Sequence, residues 1–384
     1  MAARTQLAHR SPGAAADGVG SERGAAPISN FAAGPGMMPQ AVLARARAEL
    51  LDWHGRGLSV LEMPFTGANF KSIMAKTRAD LARLLGVPEN YRILFMQGGA
   101  SAQFSLVPLN LLGGGVADYV DTGHWAKRAI VEGRRYGQIH VAASGAAEGY
   151  RRIPPEAEWR PSRNAAYRHI TANETADGLE YNFVPANDDA PLVADMTSNL
   201  LSRPIEIARY GLIYASAQKN IGPAGLTLVI LREDLLNRAS AMTPMMFNYR
   251  VRVASEDLVN TPPTYAVYLS GLVFEWLDQQ GGLEAAARRN ARKAARLYAA
   301  IDDSGGFYSC PAAPSDRSRV NVCFRLAEPA LEPGFVDQAA LQGLINLAGH
   351  GARGGLRASL YNAMPEAGVE ALVGFMADFA RRHG

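Results

Sequence analysis

Residues 211–231 read GLIYASAQKNIGPAGLTLVIL: an apolar run, one lysine at the mouth of a glycine- and proline-rich loop, then a second apolar run. Gly211 to Ala215 and Leu226 to Leu231 show no polar alternation, the pattern of strands buried on both faces of a mostly parallel sheet. The chain carries five lysines, Lys71, Lys76, Lys127, Lys219 and Lys293, so 34 of its 39 basic residues are arginine and its cationic surface is made from arginine. The other four lysines sit in polar, helix-like segments and read as solvated charges. Lys219 alone stands between two buried strands, as a loop charge or as a nucleophile.

Working outward, helical and strand patterns alternate from residue 40 onward. Gln40 to Leu51 and Asn69 to Leu85 have helical apolar spacing, the second stopping at Gly86 with Pro88 beyond it. Arg92 to Met96 reads as a strand, followed by Gln97-Gly-Gly-Ala-Ser101 and an apolar helix. Short apolar runs recur at 117–120, 138–142, 167–171 and 191–195. Strands separated by helices or loops imply βαβ units and an α/β, doubly wound, mostly parallel sheet. Thr264 to Gln279 and Leu283 to Ile301 predict two long helices, after which the pattern changes. We expect a large domain over 27–283 and a smaller α+β domain over 284–384, with a strand at Arg319 to Leu326 and a closing helix at Glu366 to His383. Residues 1–26, rich in Ala, Gly, Ser and Arg, read as a disordered tail.

With 48% hydrophobic and 20% charged residues in 384, the chain can bury a sizeable core as an ordinary globular protein. A formal charge of +3 is too mild to argue for nucleic acid, and no Lys/Arg run interleaves with aromatics. No apolar run approaches the length of a membrane span. Cys310 and Cys323 lack zinc or disulfide spacing, which fits a reducing cytoplasm.

In open α/β sheets, ligands bind beyond the carboxyl ends of the strands. Four such ends carry chemistry. Gln97 to Ser101 offers glycines, helix amides and a hydroxyl for a phosphate. Asp195 follows four apolar residues in Pro191-Leu-Val-Ala-Asp195, where it serves as a carboxylate ligand or as a helix cap. Lys219 is the third. Asn260-Thr261-Pro262-Pro263 is a rigid loop with amide and hydroxyl donors, or simply a helix entry. Together they match pyridoxal phosphate, which needs a lysine for its Schiff base, a carboxylate for its pyridine nitrogen, an aromatic face such as Trp125, and phosphate donors.

The stretches LSRPIEIARYGLIYASAQKNIGPAGLTLVILREDLL (201–236), VNTPPTYAVYLSGLVFEWL (259–277) and GGLRASLYNAMPEAGVEAL (354–372) closely resemble the phosphoserine aminotransferase family, a resemblance covering residues 28–384. It implies a fold type I pyridoxal phosphate enzyme of class V, a homodimer with shared active sites, and transamination using L-glutamate and 2-oxoglutarate. It further implies that Lys219 is the Schiff-base lysine, Asp195 the pyridine partner, Trp125 the stacking ring and Thr175 the donor to the ring hydroxyl. Ala100, Ser101 and Gln218 would hold the cofactor phosphate, Asn260 and Thr261 would reach the neighbouring subunit's cofactor, and Arg357 would fork onto the substrate α-carboxylate.

The chain departs from that family where the substrate phosphate is gripped. Phe65-Thr66 stands in place of a His-Arg pair, Ser101 in place of an arginine, and His350-Gly351 in place of a second His-Arg pair. Only His350 is kept, with Arg353 as an unfamiliar cation two places beyond Gly351. The expectation is a transaminase whose 2-oxo acid acceptor is altered or non-phosphorylated; the alternative is a phosphoserine transaminase in which Arg353 restores the grip. A cysteine-dependent lyase is disfavoured because Cys323 lies in a core strand and Cys310 precedes a proline. A cofactor-binding protein without turnover is disfavoured by Lys219, Asp195 and Arg357 together, and a nucleotide-binding module by the lack of a G-x-G-x-x-G motif or a Lys-Ser/Thr after the glycine loop.

Overall fold

The alternation of apolar runs becomes a seven-stranded sheet in the structure, a computed structural model describing residues 28–186 and 189–384. The expected tail, 1–26, lies outside the described residues. The strands are β1 Tyr91–Met96, β2 Val116–Asp121, β3 Gln138–Ser144, β4 Arg168–Thr171, β5 Leu192–Asp195, β6 Leu212–Ser216 and β7 Thr227–Arg232. Their spatial order is β1-β7-β6-β5-β4-β2-β3, with β7 antiparallel to both neighbours and every other pair parallel. This is the α/β, mostly parallel architecture that the sequence implies.

Both faces of the sheet are covered. Along β7, Leu228 and Ile230 face one core, shared with Phe70 and Leu81 of α2 (Ala68–Leu85) and Phe274 of α6 (Thr264–Gln279), with α1 (Gln40–Ala48) alongside. Val229 and Leu231 face the other core, with Phe104 and Val107 of α3 (Gly99–Leu111), Ile130 of α4 (His124–Gly133) and Tyr249 of α5 (Tyr249–Ala254). A strand buried on both faces can be apolar at every position, which is why these runs lack alternation.

A third core gathers Leu297 and Ile301 of α7 (Gly282–Asp302), Phe335 of α8 (Glu332–Leu341), and Leu372 and Phe379 of α9 (Glu366–His383). It backs a three-stranded antiparallel sheet in the order β8 (Tyr308–Ser309), β9 (Asn321–Leu326), β10 (Leu356–Ser359). The first described strand, Ser29–Asn30, pairs in parallel with Leu344–Ile345, and Phe31 is fully buried in this same core. No described helix is long and apolar enough to cross a membrane.

Two expectations differ from the structure. The helix expected over Gln40 to Leu51 closes at Ala48, where the Leu50 amide turns to the Arg47 carbonyl and the chain enters a 3-10 turn at Trp53–Gly55. Lys293, expected to be solvated, is 2% exposed. It occupies the inward face of α7 beside Asn290, Ala294 and Leu297. There Nζ donates to the carbonyls of Leu360, Tyr361 and Met364 at 3.0, 2.8 and 3.0 Å.

Candidate active site

Because β1, β2, β4, β5 and β6 run the same way, their carboxyl ends open on one side of the sheet. A cavity of about 300 Å³ lies there. It is walled by Gly99, Ala100 and Ser101 after β1, Trp125 after β2, Thr171 ending β4, Asp195 ending β5, and Gln218 and Lys219 after β6. His350 and Arg357 enter from the C-terminal region.

Gly98 and Gly99, at φ +98° and +68°, adopt a conformation closed to ordinary residues, and they turn the chain directly into the first turn of the 13-residue helix α3. Gly99, Ala100 and Ser101 of that turn line the cavity, and the amides of a helix's first turn beside a hydroxyl suit a phosphate. Trp125 is aimed by its backbone: Glu174 accepts from the Trp125 and Ala126 amides at 2.9 and 2.8 Å, and Asp177 accepts from the His124 amide at 2.9 Å. A Cβ at Gly123 would come within 2.5 Å of Asp177 Oδ2 and 2.7 Å of Glu174 Cδ, so only glycine allows both carboxylates so close. Burial, then the neighbouring Asp177 charge, pushes Glu174 up to about 8.

Lys219 Nζ donates to Thr175 Oγ1 at 2.5 Å. Burial, opposed by Asp195 and assisted by Arg357, brings its amine down to about 8. Asp195 accepts the Thr197 amide at 2.9 Å, and burial pushes its carboxyl above the usual range. No cationic side chain forms an ion pair with it among the described residues. Arg357 donates to the Thr175 carbonyl at 3.2 Å and presents its remaining N–H groups to the cavity. The His350 ring lies 4.4 Å from His124 and 5.9 Å from Trp125, centre to centre, and burial lowers its pKa.

Ala100, Ser101, Trp125, Thr175, Asp195, Gln218, Lys219, His350 and Arg357 are therefore brought to one cavity. Asn260 and Thr261 lie outside it, where Asn260 Nδ2 donates to Gln97 Oε1 at 3.0 Å and Gln97 Nε2 reaches the Thr261 carbonyl at 3.4 Å. Phe65 is half-buried against the first core, Thr66 is exposed, and neither lines the cavity. Arg353 does not line it either, its Nε standing 2.6 Å from Asp177 Oδ1. Sequence reasoning missed Thr171, Thr197, Ser198 and Ser216, which sit at or just past strand ends as Asp195 does. Nothing in the pattern pointed to Ala33 and Gly34, delivered by the N-terminal segment.

Residues 28–372 match the class-V aminotransferase family. The chain is 56% identical to a phosphoserine aminotransferase of Laribacter hongkongensis over 93% of this chain and 99% of that protein. The structure superposes with a TM-score of 0.91 on the phosphoserine aminotransferase of Bacillus circulans subsp. alkalophilus, 44% identical over 93% of this chain and 99% of that one. The chain belongs to the phosphoserine aminotransferase family. It is a pyridoxal 5′-phosphate-dependent aminotransferase. Likeness to the pyridoxal-phosphate-bound Trichomonas vaginalis phosphoserine aminotransferase, 38% identical at a TM-score of 0.87 over 91% of this chain and 99% of that one, agrees.

The site fits that cofactor on its own terms. A buried carboxylate without a cationic partner suits a protonated pyridine nitrogen, and the Thr171 hydroxyl and Trp125 indole N–H are buried polar groups without protein partners. A thiol mechanism does not fit, because burial pushes Cys323 up to about 12 and holds its thiolate out of reach.

Proposed function

We propose that this aminotransferase exchanges an amino group between L-glutamate, with 2-oxoglutarate as its partner, and a 2-oxo acid bearing a short substituent at C3 that carries less charge than a phosphate. One observation carries the reading: Arg353, the cation that could have replaced the missing arginines, is engaged by Asp177 and stands outside the cavity. Each charge-assisted contact to a dianion contributes roughly 1.5 to 3 kcal/mol, so three absent arginines weaken phosphate binding by orders of magnitude.

Bound pyridoxal phosphate supplies a carbonyl carbon that accepts the amino group and a ring that withdraws electrons from the substrate α-carbon. The residues do the rest. The α3 amides and Ser101 would hold its phosphate, with Gln218 beside them, Trp125 would lie against its ring, and Asp195 would hold a proton on its ring nitrogen. Arg357 orients the substrate α-carboxylate through two parallel hydrogen bonds. Lys219, whose amine burial brings down to about 8, is poised to take the α-proton when neutral, and Thr175 Oγ1 accepts from its Nζ at 2.5 Å.

The enzyme works as a homodimer in which Asn260 and Thr261 serve the neighbouring subunit's cofactor; their position outside their own cavity supports this. Two free cysteines support a cytoplasmic setting. A second reading, transamination of O-phospho-L-serine itself, is favoured by the names of relatives 54 and 56% identical. Adding L-glutamate and O-phospho-L-serine separately to purified yellow holoenzyme, and following loss of the visible cofactor absorbance, separates the two. We expect glutamate to bleach the cofactor and phosphoserine to need far higher concentrations. Bleaching by both at comparable low concentrations would establish the phosphoserine reaction instead.

A further inference from the structure

Arg353 does not line the cavity and belongs to a cluster of its own. Its Nε is 2.6 Å from Asp177 Oδ1, and its guanidinium carbon stands 4.8 Å over the Tyr150 ring. That ring is fixed in turn, because the Tyr150 hydroxyl donates to Asp121 Oδ2 at 3.1 Å. The other Asp177 oxygen accepts the His124 amide at 2.9 Å, on the first turn of α4. One carboxylate thus joins two segments that face the substrate from different parts of the chain. One is the start of α4, with Trp125. The other is the loop 349–355, which carries His350 and leads into β10 with Arg357.

The loop transmits position over a very short distance. The Arg353 and Gly354 amides donate to the His350 carbonyl at 2.7 and 2.8 Å, and the Ala352 amide to His350 Nδ1 at 3.2 Å. Across the loop, the Gly349 amide donates to the Gly355 carbonyl at 2.8 Å. Displacing Arg353 therefore displaces His350, whose ring rests on His124 and Trp125. The charge balance is equally local. The Asp177 side chain is 5% exposed and has two further buried carboxylates, Glu174 and Asp121, as neighbours. Arg353 is the cation paired with it, and removing one partner of a buried pair leaves an uncompensated charge.

We propose that Arg353 is a positioning residue for amino transfer: through Asp177 it locks the loop 349–355 to the N-terminus of α4, fixing His350 and Arg357 relative to Trp125. It acts on the site from behind, and it is not a ligand of the substrate's C3 substituent. The assignment rests on the aminotransferase activity alone and holds whichever 2-oxo acid is the acceptor.

The test uses holoenzyme carrying Arg353→Ala, Arg353→Lys, Asp177→Asn and the double variant Arg353→Ala/Asp177→Asn. The concentration of L-glutamate that half-saturates cofactor bleaching, the limiting rate, and the visible circular dichroism of the bound cofactor are read for each. Glutamate carries a distal carboxylate that a direct ligand would also grip, so the double variant decides: neutralising Asp177 cannot restore a lost substrate ligand but does relieve a stranded charge behind the site. Arg353→Ala is expected to raise the half-saturating glutamate concentration by about tenfold or more through misplacement of the carboxylate clamp, and to alter the dichroism through Trp125. The double variant should recover much of that loss, because neutralising Asp177 removes the stranded charge. Unchanged glutamate kinetics and dichroism in Arg353→Ala would overturn the proposal, as would simple addition of the two single losses in the double variant. Where Arg353→Ala does not fold, Arg353→Lys and Asp177→Asn decide: a glutamate defect with altered dichroism in both supports the lock, and wild-type behaviour in both refutes it.

Discussion

Near pH 8, about half of the cofactor-free protein should carry Lys219 as a neutral amine, since burial and Arg357 bring it down from the ordinary lysine value and Asp195 only partly opposes them. Labelling of cofactor-free enzyme with an amine-selective reagent should therefore show a phase with half-maximal rate near pH 8 that Lys219→Ala lacks. The sign for stability follows from the same shift: the unfolded chain holds this proton up to higher pH, so the Lys219 contribution opposes folding below about 8 and is relieved as pH rises towards 10.5. Asp195→Ala should weaken cofactor binding by about 10- to 100-fold, the loss of one charge-assisted hydrogen bond, measured by fluorescence titration. Both residues were legible in the sequence because each stands where an apolar run ends. Glu174 and Asp177 were not: they act by receiving backbone amides across a gap of about 50 positions in the chain, and no local pattern encodes that contact.

At the scale of single elements, α6 and α9 were readable to the residue because Pro263 and Pro365 stand at their entrances and apolar spacing runs unbroken to their ends. The early end of α1 was not readable, since Glu49 to Leu51 carry no breaker and the chain leaves the helix to seat Trp53 in the first core. Lys293 was hidden for a related reason: helical periodicity marks position 293 as inward, but the three carbonyls that make a lysine acceptable there come from the turn after β10. That lysine ties α7 to the turn between β10 and α9. Lys293→Met keeps the volume and takes the lysine donor from the Leu360 and Met364 carbonyls, while the Tyr361 carbonyl keeps the Met364 amide at 2.9 Å, so it should destabilise the folded holoenzyme by about 2 kcal/mol. Calorimetry on wild type and variant reads this directly, and equal melting temperatures would mean that the carbonyls find other donors.

For the whole molecule, the proposed sharing of sites between two subunits makes a distinctive prediction. Mixing Lys219→Ala chains with Asn260→Ala/Thr261→Ala chains under exchange should regenerate one native site per mixed dimer, because the second chain keeps its lysine and receives intact loop residues from the first. With statistical mixing in a two-fold dimer, activity should rise to about a quarter of wild type. No recovery would place Asn260 and Thr261 in the service of their own subunit. The mostly parallel character of the main sheet followed from the spacing of apolar runs and the preference for crossover units; its strand order and the antiparallel β7 did not, and the pairing of Ser29–Asn30 with Leu344–Ile345 was invisible because two residues carry no periodicity. That pairing has a consequence for biosynthesis. A ribosome delivers Ser29 early and Leu344 late, so the segment that ends in Ala33 and Gly34 at the cavity wall cannot be seated until translation is nearly finished. Nascent chains stalled before residue 344 should therefore emerge colourless, and cofactor capture should date from release rather than from the folding of the large sheet.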